Sequence, residues 1–242
     1  MLRVGKCHYR TDGITYPSFP NFTNIIVLTK GHSKWYPLSP YFLKDSKGRI
    51  MENVWQFSKV YEKVPFTTQK KSRYDSTIIW QHPEEVHFMD GKLTPEYFEW
   101  RHKGMYAKEA IRYPVGYKHR HKCLFTLKED ENGVIDVDRK LDYVQARKEI
   151  YMPLYCNLVK KEKKFKELKE RLRKGENLLI IEVDGPHQES LDYYIEKYRV
   201  SEDFIQNDTM IASNENIDIM LNDPKHPFGH GYCLCYALNN DL

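Results

Sequence analysis

The sequence predicts an α+β fold, mostly helical around a small sheet. Three observations lead there. Residues 24–29 and 177–183 are short apolar runs of strand length, rich in isoleucine, leucine and valine and each closed by a turn signal. Residues 141–151 and 160–174 place apolar side chains at helical spacing. Between these, residues 52–59 put polar side chains at helical spacing, with Val54, Trp55 and Phe57 beside them.

Taken in chain order, the first expected strand is 24–29, ended by Lys30-Gly31. Residues 36–43 contain Pro37 and Pro40 and form an aromatic-rich loop, because proline in a helix interior removes a donor and clashes with the preceding turn. Asp45-Ser46-Lys47-Gly48 is a turn, followed by the helix that carries Glu52, Gln56 and Lys59. Residues 62–105 are broken by Pro65, Pro83 and Pro95, with a helix start at Thr94 (cap) and Pro95 (first helical position). A helix over 141–151 is kinked or restarted at Pro153, and the next one runs to about Lys174, where Gly175 stops it. The strand 177–183 ends in Asp184-Gly185-Pro186. A helix over 189–199 follows, then a polar, irregular segment over 207–223 and a short apolar stretch over 233–238.

Composition narrows the class. The 242 residues are 40% hydrophobic and 30% charged, enough for a globular protein with a buried core. No apolar run approaches the roughly 18 residues of a membrane span, and no signal region follows Met1, so no membrane partner and a cytosolic location are expected. Cys7, Cys123, Cys156, Cys233 and Cys235 are odd in number and scattered, which predicts reduced thiols. The C-x-C pair Cys233/Cys235 lacks a second ligand pair, and the ten histidines are scattered, so neither a metal site nor a cofactor is expected. The net charge of +4 permits a nucleic-acid or nucleotide partner without demanding one. The basic stretch 117–122 reads as a solvated loop, and the run 160–174 as the solvated face of an amphipathic helix.

The polar stripe is where chemistry is expected. Glu52, Gln56 and Lys59 fall at i, i+4 and i+7, and a helix brings them to one face. Large apolar neighbours suggest a helix set into a pocket wall, where a carboxylate and an amine have shifted pKa values. The alternative is an ordinary surface pair worth about 0.3 kcal/mol. Asp184, at the end of a buried strand, either works as a carboxylate or makes a turn ahead of Gly185. Gly229 and Gly231, before the last apolar stretch, either offer amides to an anion or form a plain turn.

The order of these pieces resembles the NADAR superfamily, the YbiA-like proteins. Its members carry Ser/Thr-x-Glu-His-x-x-Gln-x-x-Lys-Phe on an early helix. Glu52, Gln56 and Lys59 fill the Glu, Gln and Lys positions, and Asn53 stands where His is usual. Leu38-Ser39-Pro40-Tyr41 matches the aromatic loop ahead of that helix. Ala107 and Arg112 match Ala-x-x-x-Gly-Arg, with Ile111 in place of Gly. Asp142-Tyr143 stands for an Asp-Trp pair, Leu178 to Glu182 for a leucine-rich strand ending in Glu, and Phe228-Gly229-His230-Gly231 for Trp-Gly-x-Gly. The match covers residues 36–238. Segments near 62–100 and 187–222 exceed compact members and read as insertions, as in divergent members encoded by large tailed bacteriophages.

The resemblance implies one α+β domain over residues 1–242 around a small mixed sheet. It implies an N-glycosidase acting on an ADP-ribose-type ligand, with removal of ADP-ribose from modified guanine in DNA as the leading activity. That would serve a phage in the host cytoplasm as counter-defence against a DNA ADP-ribosylating toxin. A small-molecule N-glycosidase on ribosylamino-pyrimidine nucleotides and a non-catalytic ADP-ribose or nucleotide binder are the alternatives. On this reading Glu52 stabilises an oxocarbenium-like state or orients the ribose hydroxyls. Lys59 attacks C1′ or acts as an acid toward the leaving base. Gln56 and Asn53 line the ligand, Trp55 or Tyr41 stacks on a base, Arg112 grips phosphate, and Asp184 and Glu182 are further acids.

Overall fold

The structure, a computed structural model, describes residues 1–28, 33–68 and 80–241. In chain order the principal strands are β1 (Leu2–Lys6), β2 (Thr23–Ile26), β3 (Lys59–Tyr61), β4 (Cys123–Thr126), β5 (Leu178–Glu182) and β6 (Thr209–Ile211). The helices are α1 (Met51–Phe57), α2 (Pro95–Met105), α3 (Tyr143–Ala146), α4 (Met152–Val159), α5 (Lys163–Arg173), α6 (Leu191–Tyr198), α7 (Asn214–Asn222) and α8 (His230–Asn239). The fold class is α+β, as expected. The chain divides into two units, one formed by Met1–Ser39 with Tyr155–Leu242 and the other by Pro40–Leu154. Among the described residues no helix is long and apolar enough to cross a membrane.

The first unit is built on a mixed four-stranded sheet in the order β6-β1-β5-β2. β5 runs parallel to both β1 (Leu2 opposite Leu178, Lys6 opposite Glu182) and β2 (Leu178 opposite Thr23), and β6 is antiparallel to β1. All five residues of β5 are buried, so the strand reads as an unbroken apolar run rather than an alternation. The expected strand 24–29 survives as β2; Thr29 and Lys30-Gly31 lie outside the described residues. β1 is absent from the sequence reading because Arg3, Gly5 and Lys6 disguise it. Arg3 is only 2% exposed: its Nε donates to Thr209 Oγ1 at 2.9 Å and its guanidinium lies 3.7 Å from the Phe19 ring centre. α8 packs on β5 and β1, and it is apolar nearly all round, as a central helix must be.

Several helical expectations are corrected here. Residues 207–223 are not irregular: they hold β6 and α7, whose Ser213 accepts from the Asn216 amide at 3.2 Å and whose Ile217, Met220 and Leu221 form the buried stripe. The helix expected from Pro153 to about Lys174 is broken at residues 160–162 into α4 and α5, and α5 buries Phe165 and Leu168 and leaves its charges outward. Gly175 stops it with φ +84°, and the Glu176 amide reaches back to Arg171 O at 3.1 Å. In the second unit, the stretch expected as one helix over 141–151 has a capping box between Asp142 and Gln145, one α turn, and then a π-helical turn, Arg147–Tyr151. Pro153 follows in the next turn and lacks the amide hydrogen that a regular ladder needs.

The second unit encloses a hydrophobic core built on the aromatic residues Phe57, Trp80, Tyr97, Trp100 and Tyr61, with Ile111 beside them. β3 and β4 pair antiparallel, with Lys59 opposite Thr126. The proline-broken stretch contains an antiparallel pairing of Lys63–Val64 with Glu85–Val86 and a small hairpin of Phe88–Met89 with Lys92–Leu93. Thr94 caps α2 and Pro95 opens it, as expected. α2 closes on α1 at Gly104, where a Cβ would sit 2.0 Å from the Phe57 ring. Trp100 and Trp80 flank that ring at 4.5 and 5.0 Å, so it has nowhere to retreat. Gly104→Ala is therefore expected to cost about 1–3 kcal/mol, measurable as a lower denaturation midpoint.

Candidate functional site

The sequence-predicted residues fall in both units. Tyr41, Glu52, Asn53, Trp55, Gln56, Lys59 and Arg112 belong to the second, and Glu182, Asp184, Gly229 and Gly231 to the first. All seven residues of α1 are buried, polar ones included. No side chain caps its start. Instead the preceding loop does so: the amides of Met51 and Glu52 donate to Leu43 O and Pro40 O at 2.9 and 3.0 Å. The aromatic loop is thereby fixed to the helix, with Tyr41 only 5% exposed.

Glu52, Gln56 and Lys59 come together, but not all on the helix. α1 ends at Phe57, and Lys59 is the first residue of β3, which corrects the expectation that one helix face carries all three. The contact survives because the chain turns directly from Ser58 into the strand. Gln56 Nε2 donates to Glu52 Oε1 at 2.8 Å, and Lys59 Nζ donates to Gln56 Oε1 at 2.9 Å. Glu52 thus fixes which way the Gln56 amide points, and the amide presents its oxygen to the ammonium. Lys59 Nζ also lies 4.8 Å from the Trp55 ring centre. Amide oxygen and indole face both favour a cation. Trp55 in turn packs at 5.0 Å on Tyr151 and is 8% exposed. Glu52, at 6% exposed, sits in the first turn of α1, where the helix amides favour a negative charge.

Asn53 has a different task. It is fully buried; its Nδ2 donates to Ala107 O and Glu109 O at 3.2 and 2.9 Å, and its Oδ1 accepts from the Ile111 amide at 2.8 Å. These three bonds hold the segment 107–111 on α1. Arg112, half-buried, follows directly, with its guanidinium 5.3 Å from the Tyr113 ring centre. Asn53 therefore positions the arginine through backbone contacts.

In the first unit, Glu182, Gly229 and Gly231 are brought together. The Glu182 carboxylate is 1% exposed at the end of β5. Its Oε1 accepts from the Val183 amide at 2.7 Å, and its Oε2 accepts a short hydrogen bond from the Gly231 amide. His230 Nδ1 lies 3.5 Å from the same oxygen, and its Nε2 is 2.6 Å from Val27 O. A Cβ on Gly229 would sit 2.6 Å from the carboxylate, and one on Gly231 2.8 Å. The two glycines thus make room for Glu182 at the start of α8, and the anion meeting the Gly231 amide is the protein's own. Asp184 is half-buried beyond it, and its charge faces Lys6.

The C-x-C pair is fully buried in α8, and burial pushes both thiols up, so they stay protonated. The stretch 117–122 is a 3-10 turn, Tyr117–Lys122, with no buried residue, as a solvated loop should be.

No family model, no curated protein and no solved structure matches this chain.

Two clusters escaped the sequence reading. One is the buried carboxylate of Asp223, which takes hydrogen bonds from Tyr193 OH at 2.6 Å and Tyr194 OH at 2.7 Å, with His226 Nδ1 at 2.7 Å. Burial pushes this carboxyl up, but the hydroxyls and the imidazole more than reverse that and hold it at about 2. A depressed pKa stabilises the fold above the unfolded value near 3.8 and ceases to do so as pH falls toward 2. Asp223→Asn is expected to lose about 2 kcal/mol at pH 7. Unfolding curves of the two proteins should converge between pH 4 and pH 2. The other cluster is His8, His187 and Asp208, in which His8 and Asp208 stand 200 positions apart.

Proposed function

We propose that the chain is a divergent NADAR-type N-glycosidase that removes ADP-ribose from modified guanine in DNA, as phage counter-defence against a DNA ADP-ribosylating toxin. The reading rests above all on the linked series Lys59–Gln56–Glu52, a half-buried ammonium oriented by an amide that a buried carboxylate orients in turn. Such an arrangement suits an acid that must meet a leaving nitrogen at one fixed position. In hydrolysis the C1′–N bond breaks, the departing base nitrogen takes a proton from the Lys59 ammonium, and water adds to C1′ as its surplus proton returns to the Lys59 amine, leaving a hydroxyl on C1′ and the ammonium restored. The Glu52 charge favours the oxocarbenium-like state between these events. Arg112, placed through Asn53, supplies a planar fork for a phosphate oxygen.

The basic turn Tyr117–Lys122 is exposed and supports a polyanionic substrate over a small nucleotide. Binding of a single-stranded oligonucleotide carrying ADP-ribosylated guanine to the Lys59→Ala protein tests this. Affinity that falls steeply with added salt supports nucleic acid as the substrate. A flat salt response, with free ADP-ribose bound equally well, assigns the site to a small ligand instead.

A further inference from the structure

Three side chains from separate segments meet in the first unit. His8 opens the short strand His8–Arg10 after β1, and His187 precedes the 3-10 turn Gln188–Ser190. Asp208 is the second central residue of a tight turn from Gln206 to Thr209, in which Asn207 and Asp208 both have positive φ (53° and 56°). His8 Nε2 lies 2.7 Å from Asp208 Oδ2, and His187 Nδ1 lies 3.3 Å from Asp208 Oδ1. The two imidazoles stack with centres 3.9 Å apart. One donor atom from each residue falls within 4.8 Å of the others, the one such group of three found among the described residues.

We propose that His8, His187 and Asp208 form a binding site for a divalent transition-metal ion of the zinc type. Two imidazole nitrogens and one carboxylate are a donor set that borderline ions prefer, and three protein ligands leave a coordination position for water or a substrate oxygen. Metal–ligand bonds of about 2.0–2.2 Å put two ligands of a tetrahedral ion about 3.4 Å apart. His187 and Asp208 already stand at that separation. His8, at 2.7 Å, must open by about 0.7 Å to reach it, and its side chain, 31% exposed, has room to turn.

Two further features favour a ligand. His187 Nδ1 is buried and faces Asp208 Oδ1 at 3.3 Å, outside regular hydrogen-bond geometry. The carboxylate itself is held in place, as metal-binding carboxylates are, by a donor outside the triad: the Gln188 amide donates to Asp208 Oδ1 at 2.8 Å. The Gln188 side chain locks the same loop to Ile205 O at 2.8 Å. Gln188 and Asn207, the chain neighbours of His187 and Asp208, also line an open pocket with Phe19, Pro20 and Glu202. Lys6 faces the cluster, but its ammonium is engaged by Gly185 O at 2.6 Å.

The test uses the full chain without a histidine tag, stripped with a chelator. It is titrated with Zn²⁺ by calorimetry and with Co²⁺ by visible absorption. One ion per chain is expected, together with cobalt bands of a nitrogen/oxygen site and a Tm that rises with Zn²⁺. His187→Ala and Asp208→Asn are each expected to weaken binding by about a hundredfold. If either fails to fold, His8→Gln, on the most exposed ligand, serves in its place. Absence of stoichiometric metal in the wild-type protein, or wild-type affinity in the folded variants, overturns the proposal.

Discussion

Lys59→Ala is expected to lower N-glycosidic turnover by about a thousandfold, within the range that a positioned general acid contributes. The substitution is well suited to the question because Lys59 is half-buried and stands at the start of β3, with its ammonium on Gln56 Oε1 and beside Trp55. Removing it leaves the Gln56 oxygen free to take water, so stability should change by less than about 1 kcal/mol. Glu52 is a harsher target. Its carboxylate orients Gln56 from a buried position, so Glu52→Ala strips a buried amide of its partner and affects both stability and rate. Glu52→Gln preserves the shape and removes the charge. It should lower kcat with little change in KM, since the charge is called on in the transition state and not in the bound substrate. Equal kcat in wild type and Lys59→Ala would exclude the ammonium from the reaction.

Glu182→Ala is expected to cost about 3 kcal/mol or more, the largest stability effect among the residues described. The carboxylate is the acceptor for the amides of Val183 and Gly231, and without it these donors are stranded inside the protein. The two glycines make a second test available. Gly231→Ala alone pushes a methyl group into Glu182, whereas in the Glu182→Ala background the same methyl group enters space that the carboxylate has left. The double variant should therefore be more stable than the sum of the two losses, by about 1 kcal/mol or more in a double-mutant cycle. Additive losses measured by denaturant unfolding would mean that Glu182 and the start of α8 are not coupled.

The same two regions show how far the sequence could be read. The Glu52–Gln56 spacing is local, so a period of 3.6 residues is enough to bring the two together. Lys59 reaches Gln56 by a different route, through a strand that begins two residues after the helix ends, and periodicity alone cannot report that. Glu182 and the Gly229–Gly231 pair were each legible as features. Their meeting was not, because Glu182 and Gly231 are 49 positions apart and pair only once β5 and α8 are packed. β1 was hidden by a buried arginine whose charge is accommodated on Phe19 and Thr209, contacts that exist only in the folded chain. α7 was missed for a different reason: its Ser213 cap and its Ile217, Met220 and Leu221 stripe were present in the sequence but masked by surrounding asparagines and aspartates. His8, His187 and Asp208 carry no spacing signal at all, since a parallel strand pairing and a tight turn bring them together.

Asn53 is matched to the backbone it meets rather than to a ligand. An asparagine offers two donors and an acceptor in one planar group, and here all three hold the segment that carries Arg112. A neutral imidazole has one donor and one acceptor and cannot make the same three bonds. Asn53 and the 107–111 backbone therefore form a matched pair.

The most direct measurement is turnover of a single-stranded DNA oligonucleotide carrying ADP-ribosylated guanine, followed by mass spectrometry with the wild-type and Lys59→Ala proteins side by side. Loss of the ADP-ribose mass with wild type, and its retention with Lys59→Ala, is the expected result. An oligonucleotide left intact by the wild-type protein, or processed equally by both, would contradict the assignment of Lys59, Gln56 and Glu52 as the reacting group of an N-glycosidase.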